Sequence, residues 1–162
     1  MTTASARLVV DLASAMEPDA PLSGPIRGNL NNANKGTAWT DGGGSGQIEQ
    51  AFEQNYTIGA AATQAFNTLA AGALTDLAGD TVDLDELKYL VIKVNTGTVE
   101  LTAPGANFIG LFKAAADALV LPVGTYAFDL GAAGIDVTVN SLFNLVDTGA
   151  GSTVTVAFGG AA

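Results

Sequence analysis

The residues best suited to chemistry in this sequence are five acids between positions 76 and 86. They are Asp76, Asp80, Asp83, Asp85 and Glu86. Clustered carboxylates are the ligands that hard cations such as calcium prefer. The spacing is not that of an EF-hand, because the D-x-D-x-D-G start and the closing glutamate are absent. A solvated acidic loop is therefore favoured over a calcium site. A hydrolytic pair of carboxylates has less support still, because such pairing is spatial and cannot be read from spacing.

Other catalytic groups are scarce. The chain has no histidine and no cysteine, so disulfides, thiolate metal sites and the commonest general base are excluded. No serine lies in a G-x-S-x-G motif. The glycine run 42–46 lacks the G-K-[ST] ending of a phosphate-binding loop. We therefore predict a protein that is not an enzyme and that holds no cofactor or metal.

Composition and charge restrict the partners. The 162 residues suit one domain with an appendage, and 16 acids against 6 bases give a formal net charge of −10. Nucleic acid and anionic membranes are unfavourable partners for so acidic a chain. No stretch approaches the 18 apolar residues of a membrane span, and the apolar run 8–12 is too short for a signal peptide. We expect a soluble protein that is made in the cytoplasm.

The composition of the chain changes near residue 47. Residues 1–47 contain three prolines, an asparagine-rich stretch and the Gly/Ser run, which predict an extended arm with a flexible linker that is disordered alone in solution. We expect the arm to be held by a neighbouring subunit or another protein, and the alternative is that it folds back on its own domain. Trp39 is suited to a partner's pocket or, equally, to capping the edge of its own domain. The apolar anchors of the arm, which are our candidate contacts to a partner, are Leu8, Val9, Val10, Leu22, Ile26, Leu30 and Trp39.

Residues 48–162 read as a β-domain of short strands that are separated by turns about every ten residues, as in a sandwich, jelly roll or barrel. Apolar and polar residues alternate in 153–158 and around Val137 and Val139, which predicts strands with the apolar residues on one face and the other face in solvent. Residues 87–95 alternate less cleanly and are apolar enough for a central strand. Asn95-Thr96-Gly97 predicts a short hairpin, and 70–87 a possible helical turn. The predicted strands are 52–58, 64–69, 87–95, 98–102, 108–112, 118–121, 124–128, 135–140, 141–147 and 153–158.

The chain from about Phe52 to the C-terminus, about two-thirds of its length, carries a family resemblance in four stretches. They are 56–60 (YTIGA), 68–76 (TLAAGALTD), 87–94 (LKYLVIKV) and 147–156 (DTGAGSTVTV). In these stretches the chain resembles small virion proteins of tailed bacteriophages. The resemblance implies an antiparallel β-sandwich of jelly-roll type, with the extended N-terminal arm outside the match, and it supplies no catalytic residues.

The expected function follows from this resemblance. It implies a capsid decoration (cement) protein or minor capsid component on the virion surface. The arm, which lies outside the match, is expected to run over the major capsid protein and to bind it through its apolar anchors. A homo-oligomer is expected, with a trimer favoured. The alternative is a receptor- or glycan-binding module of a tail fibre or head spike. That module would need an exposed aromatic cluster, for which Tyr56, Tyr89 and Tyr126 are too scattered in sequence to judge.

Overall fold

The computed structural model describes residues 5–7, 38–114 and 116–162. Within them the chain is built from β-strands, together with a single 3₁₀ turn at Ala70–Gly72 inside the stretch where a helical turn was expected. The strands are Ser5–Arg7 (β1), Ala38–Asp41 (β2), Gln47–Ile48 (β3), Gln50–Ile58 (β4), Thr63–Asn67 (β5), Glu86–Thr96 (β6), Val99–Thr102 (β7), Ala118–Leu121 (β8), Gly124–Asp129 (β9), Ile135–Asp136 (β10), Leu142–Asp147 (β11) and Ser152–Ala161 (β12).

Two antiparallel sheets pack face to face. In the first, β12 lies between β4 and β6, and β9 and β10 pair in succession with the other side of β6. The second has the order β5-β11-β7-β8. A small third sheet joins β1, β2 and β3, in which β2 and β3 are parallel. The predicted all-β sandwich is confirmed.

Aromatic rings cross the core from one sheet to the other. Phe52 stacks on Phe158 within the first sheet, with 4.7 Å between ring centroids, and Phe158 meets Phe143 of the second sheet edge to face at 6.2 Å. Phe143 then stacks on Phe66 at 4.7 Å, and Phe66 meets Tyr56 of β4 edge to face at 5.1 Å. These contacts tie four strands together, since β4 and β12 carry rings from one sheet and β5 and β11 from the other.

Period-two alternation explains most of the packing. In β12, Val154, Val156 and Phe158 are buried in the core, while Thr153 and Thr155 are partly exposed. Strand β6 has strand partners on both sides and is buried along most of its length, so the prediction of a central strand is confirmed.

Two predicted strands are wrong or shortened. Residues 108–112 belong to the loop between β7 and β8 and form only an isolated bridge at Phe108, because the chain turns directly afterwards, with Phe112 N–H donating to the Ile109 carbonyl at 3.3 Å. The predicted strand 135–140 ends at Asp136, whose carboxylate accepts hydrogen bonds from the backbone and hydroxyl of Thr138. As a result Val137 is buried but Val139 is 68% exposed, so the predicted shared face is not formed.

The predicted hairpin at 95–97 is also wrong. Gly97 does adopt a positive φ of +78°, as a tight turn requires. However, β6 belongs to the first sheet and β7 to the second. The turn therefore carries the chain across the sandwich and does not join two paired strands. In the described part of the chain, no helix is long and apolar enough to cross a membrane.

Candidate functional site

Most of the predicted contact residues lie outside the described part of the chain. These are Leu8, Val9, Val10, Leu22, Ile26 and Leu30. Trp39 belongs to β2, where its register partner is Ala6 of β1. The structure thus places Trp39 in the small sheet whose strand β3 immediately precedes β4.

The acidic stretch 76–86 forms a hydrogen-bonded loop. One carboxylate oxygen of Asp76 accepts from the backbone N–H groups of Ala78 and Asp80 at 2.9 and 2.8 Å. The carboxylate of Asp83 accepts from Ala70 N–H at 3.0 Å. Two of the five acids therefore fix the path of the backbone. Within the described residues, no three acids are grouped so that they could hold a metal ion.

A buried lysine lies beneath the glycine run that was predicted to be a flexible linker. The Nζ atom of Lys88 donates to the carbonyl oxygens of Gly44 and Gln47, both at 2.7 Å, and lies 3.4 Å from a carboxylate oxygen of Glu86. The run is further held by a bond from Gly46 N–H to the Ala132 carbonyl at 2.9 Å. Residues 42–47 (the latch loop) are therefore hydrogen-bonded to the domain, contrary to the flexible linker predicted for the run.

The strand register explains how Lys88 reaches this loop. On β12, Gly159 pairs with Tyr89 and Gly160 pairs with Leu87, so Lys88 is the extra residue of a β-bulge. Both glycines are needed for β12 to lie this close to β6. A Cβ atom on Gly159 would lie 2.7 Å from a ring carbon of Tyr89, and one on Gly160 would overlap the carbonyl oxygen of Glu86.

A second buried charge organises the turn between β11 and β12. One oxygen of Asp147 accepts from the N–H groups of Ala61, Gly149 and Gly151 at 2.9 to 3.2 Å, and the other accepts from the hydroxyl of Ser152. The Ser152 hydrogen bond, supported by those of the three N–H groups, lowers the pKa of Asp147 below its ordinary value, against the opposing effect of burial. Asp147 thus holds the β11–β12 turn against the turn that follows β4.

The three tyrosines do not form one exposed aromatic surface. Tyr89 is buried, and that burial together with the charge of Glu53 raises its pKa. Tyr56 packs against Phe66 in the core, and partial burial raises its pKa as well. Tyr126 lies on β9 and donates to the carbonyl of Pro122 at 2.9 Å. These positions do not provide the aromatic platform that a glycan-binding module would need.

Exposed apolar side chains concentrate on β8 and the turn after it. Leu119 is 45% exposed, Val120 55% and Val123 63%. Strand β8 pairs with β7 on one side, and no other described strand pairs with it. We call residues 118–123 the β8 edge. It contains no charged residue and ends in Pro122 and Val123.

The other edge strands of the two large sheets, which are β4, β5, β9 and β10, carry no exposed large apolar side chain. Part of β4 is covered by the acidic loop, through a bond from Leu77 N–H to the Ala51 carbonyl at 2.8 Å and through the side chain of Gln50. Strand β5 carries polar residues at most positions, and Tyr126 and Phe128 of β9 pack against the core. An open, apolar, uncharged edge is a template for pairing with another chain. The β8 edge is therefore the best candidate for a functional surface in the described residues.

Comparisons with known proteins add little. Known protein families and characterised proteins give no match. Among solved structures there is a similarity to the protein described under "Bacillus endospore appendages form a novel family of disulfide-linked pili". It has a TM-score of 0.31 and 17% sequence identity, and covers 75% of this chain and 97% of that chain. A similarity at that TM-score is too low to support an inference about this chain.

Proposed function

We propose that this protein is a structural component of a tailed-phage virion that decorates and stabilises the capsid by binding the major capsid protein. The observation that carries the proposal is the β8 edge, where three large apolar side chains are exposed on an uncharged strand and the turn after it, which marks the domain as a subunit of a larger protein assembly. Exposed apolar patches that are contiguous mark sites of protein–protein contact. The proposal accordingly assigns the protein a role in assembly and no catalytic role.

The buried polar groups support the same assignment. Lys88 holds the latch loop and Asp147, with Ser152, holds the turn between β11 and β12. Each of these side chains is occupied by backbone groups or by a neighbouring side chain of its own domain. Such groups contribute rigidity, which suits a protein that must present a fixed surface to a shell.

The likeness of 56–60, 68–76, 87–94 and 147–156 to virion proteins supports the choice of a capsid as the assembly. The arm supplies further contacts, because several weak apolar anchors on one chain bind with a combined strength that none has alone. A shell presents many equivalent positions, so modest contacts of roughly 1,000 Å² each suffice for specific decoration.

Cryo-electron microscopy of particles that carry the protein tests the proposal. Density for the sandwich at local three-fold or quasi-three-fold positions of the shell is expected. A second experiment mixes the full-length protein with shells that lack it and measures co-sedimentation. Density at the tail alone would transfer the assignment to a receptor-binding module, and shells that sediment without the protein would overturn capsid binding.

A further inference from the structure

We infer that the β8 edge is filled by residues 8–12 of a second copy of this chain, added as a strand beside β8, so that copies join head to tail. The inference rests on the proposed structural role and names the partner of the β8 edge. It concerns contact between copies. The anchors Leu22, Ile26, Leu30 and Trp39 are left to contact the capsid protein.

Strand β8 has exposed apolar side chains on both of its faces. Leu121 and Leu119 are two residues apart and therefore share one face of the strand. Leu121 is buried in the core, whereas Leu119 on the same face is exposed, which means that the sandwich is open at this position. Val120 is exposed on the opposite face. An added strand with apolar residues facing the core would cover Leu119 and extend the second sheet.

Residues 8–12 have the sequence that such a strand requires. In an extended segment Leu8, Val10 and Leu12 share one face, and Val9 and Asp11 share the other. In the added strand, Leu8, Val10 and Leu12 would face the core of the sandwich. Val9 and Asp11 would face solvent. The run contains neither proline nor glycine, so every residue can donate to the ladder.

The direction of β1 points to a second copy as the donor. Strand β3 lies directly before β4, β2 runs parallel to β3, and β1 runs antiparallel to β2. At Arg7 the chain therefore runs against the direction in which β3 leads toward the sandwich. Strand β1 thus ends, at Arg7, directed away from β4, which favours a neighbouring copy as the acceptor of the residues that follow.

Distance within the domain supports the same donor. The latch loop is attached at Lys88, near the start of β6, whereas Leu121 pairs with Val99, just beyond the far end of β6. Eight residues of strand separate Lys88 from Thr96, or roughly 27 Å at about 3.4 Å per residue. A donor segment that starts next to the latch loop would have to cross this distance to reach the β8 edge of its own copy. A neighbouring copy can instead place its β8 edge beside Arg7.

The remaining chain is long enough to return. Arg7 and Ala38 are register partners, so the segment after residue 12 must come back to its own copy. That segment has about 25 residues and can span about 85 Å when fully extended. Because the donor and acceptor surfaces differ, the contact is heterologous, and it closes into a ring or continues as an open chain. A ring of three agrees with the expected trimer.

Disulfide trapping tests the inference directly, since the natural chain has no cysteine. We expect affinity-tagged full-length Val9→Cys, mixed with untagged Val120→Cys under mild oxidation, to give a mixed disulfide dimer. Val139→Cys is the matched control, because it replaces another exposed valine of the same domain. At least a fivefold higher yield with Val120→Cys than with Val139→Cys supports the inference. Equal yields overturn it, as does an intramolecular disulfide in a monomeric Val9→Cys/Val120→Cys protein.

Sedimentation gives an independent readout. Val120→Lys places a charge on the β8 edge and is expected to convert the oligomer to monomer, whereas Val139→Lys is expected to leave the oligomer intact. Identical sedimentation of the two variants, or a natural protein that is monomeric at every concentration, overturns the inference. Co-sedimentation with shells is scored separately. Shell binding without mixed disulfides defeats this inference alone, and mixed disulfides without shell binding defeat only the capsid assignment.

Discussion

The ammonium group of Lys88 lies 2.7 Å from the carbonyl oxygen of Gly44, although the two residues are 44 positions apart in the chain. The same group donates to Gln47 at 2.7 Å. The lysine thus fastens the latch loop to the bulge of β6. Since β2 and β3 flank this loop, the contact also fixes where the arm leaves the sandwich.

Replacing this lysine tests that role. Lys88→Met keeps most of the side chain's volume but leaves the carbonyl oxygens of Gly44 and Gln47 without their donor, so we expect a loss of about 2 kcal/mol in the free energy of unfolding. Urea denaturation measures the loss. Amide hydrogen exchange of Gly46 and Gln47 should accelerate, while exchange in β11 is unchanged.

The matched control is Lys93→Met in the same strand, because Lys93 is only partly buried. It should change the stability by less than about 0.5 kcal/mol. Equal losses in the two variants would show that the contact between Lys88 and the latch loop contributes nothing specific.

Close packing of β12 on β6 gives a second prediction. Gly160→Ala would place its Cβ atom against the backbone oxygen of Glu86, and neither backbone can move away without breaking the ladder. We expect a cost of about 1–3 kcal/mol from this overpacking. In Gly149→Ala the new Cβ would have no atom within 4 Å outside residue 149 and its two chain neighbours, so that variant should melt close to the natural protein. Melting temperatures that fall equally would contradict the bulge geometry.

The aromatic path through the core gives a third prediction. Phe143→Ala removes the ring that contacts both Phe66 and Phe158, and it leaves a cavity between the sheets. We expect a loss of about 4 kcal/mol. Phe112 is only partly buried and contacts Phe108 edge to face at 6.2 Å, so Phe112→Ala should cost much less. Urea midpoints compare the two, and a similar loss at both positions would mean that the rings do not join the sheets.

The sequence predicted the fold better than the site. Alternation in 153–158 and the apolar run 87–95 identify β12 and β6, because burial on one or both faces leaves a direct trace in composition. The strand at 118–121 was predicted with the bounds that β8 has. Its position at a sheet edge was not predicted, because edge position depends on which strands pair, and pairing leaves no local signal.

Lys88 was missed for a related reason. A lone lysine inside an apolar run suggests a solvated position, and only the shift in register at Gly159 and Gly160 shows that its side chain leaves the sheet beneath the latch loop. The pair of adjacent glycines in β12 was the available clue, since glycine within a strand often marks a bulge or a close approach. The arm's anchors at 8–30 stay predictions, because they lie outside the described residues.

The pH dependence of stability depends on Asp147. Its pKa in the folded protein is lowered, chiefly by the Ser152 hydroxyl. A carboxyl group with a lowered folded-state pKa stabilises the protein fully above its ordinary pKa of about 4, and this stabilisation is lost as the pH falls through the folded-state value.

The amide of Asp147→Asn offers one acceptor oxygen where the carboxylate uses two. We therefore expect the variant to melt below the natural protein at pH 7 and the difference to narrow toward pH 3. Asp80→Asn, at an exposed loop position, is the control and should show no such narrowing. A difference for Asp147→Asn that is the same at pH 3 and pH 7 would mean that the charge of Asp147 does not hold the turn.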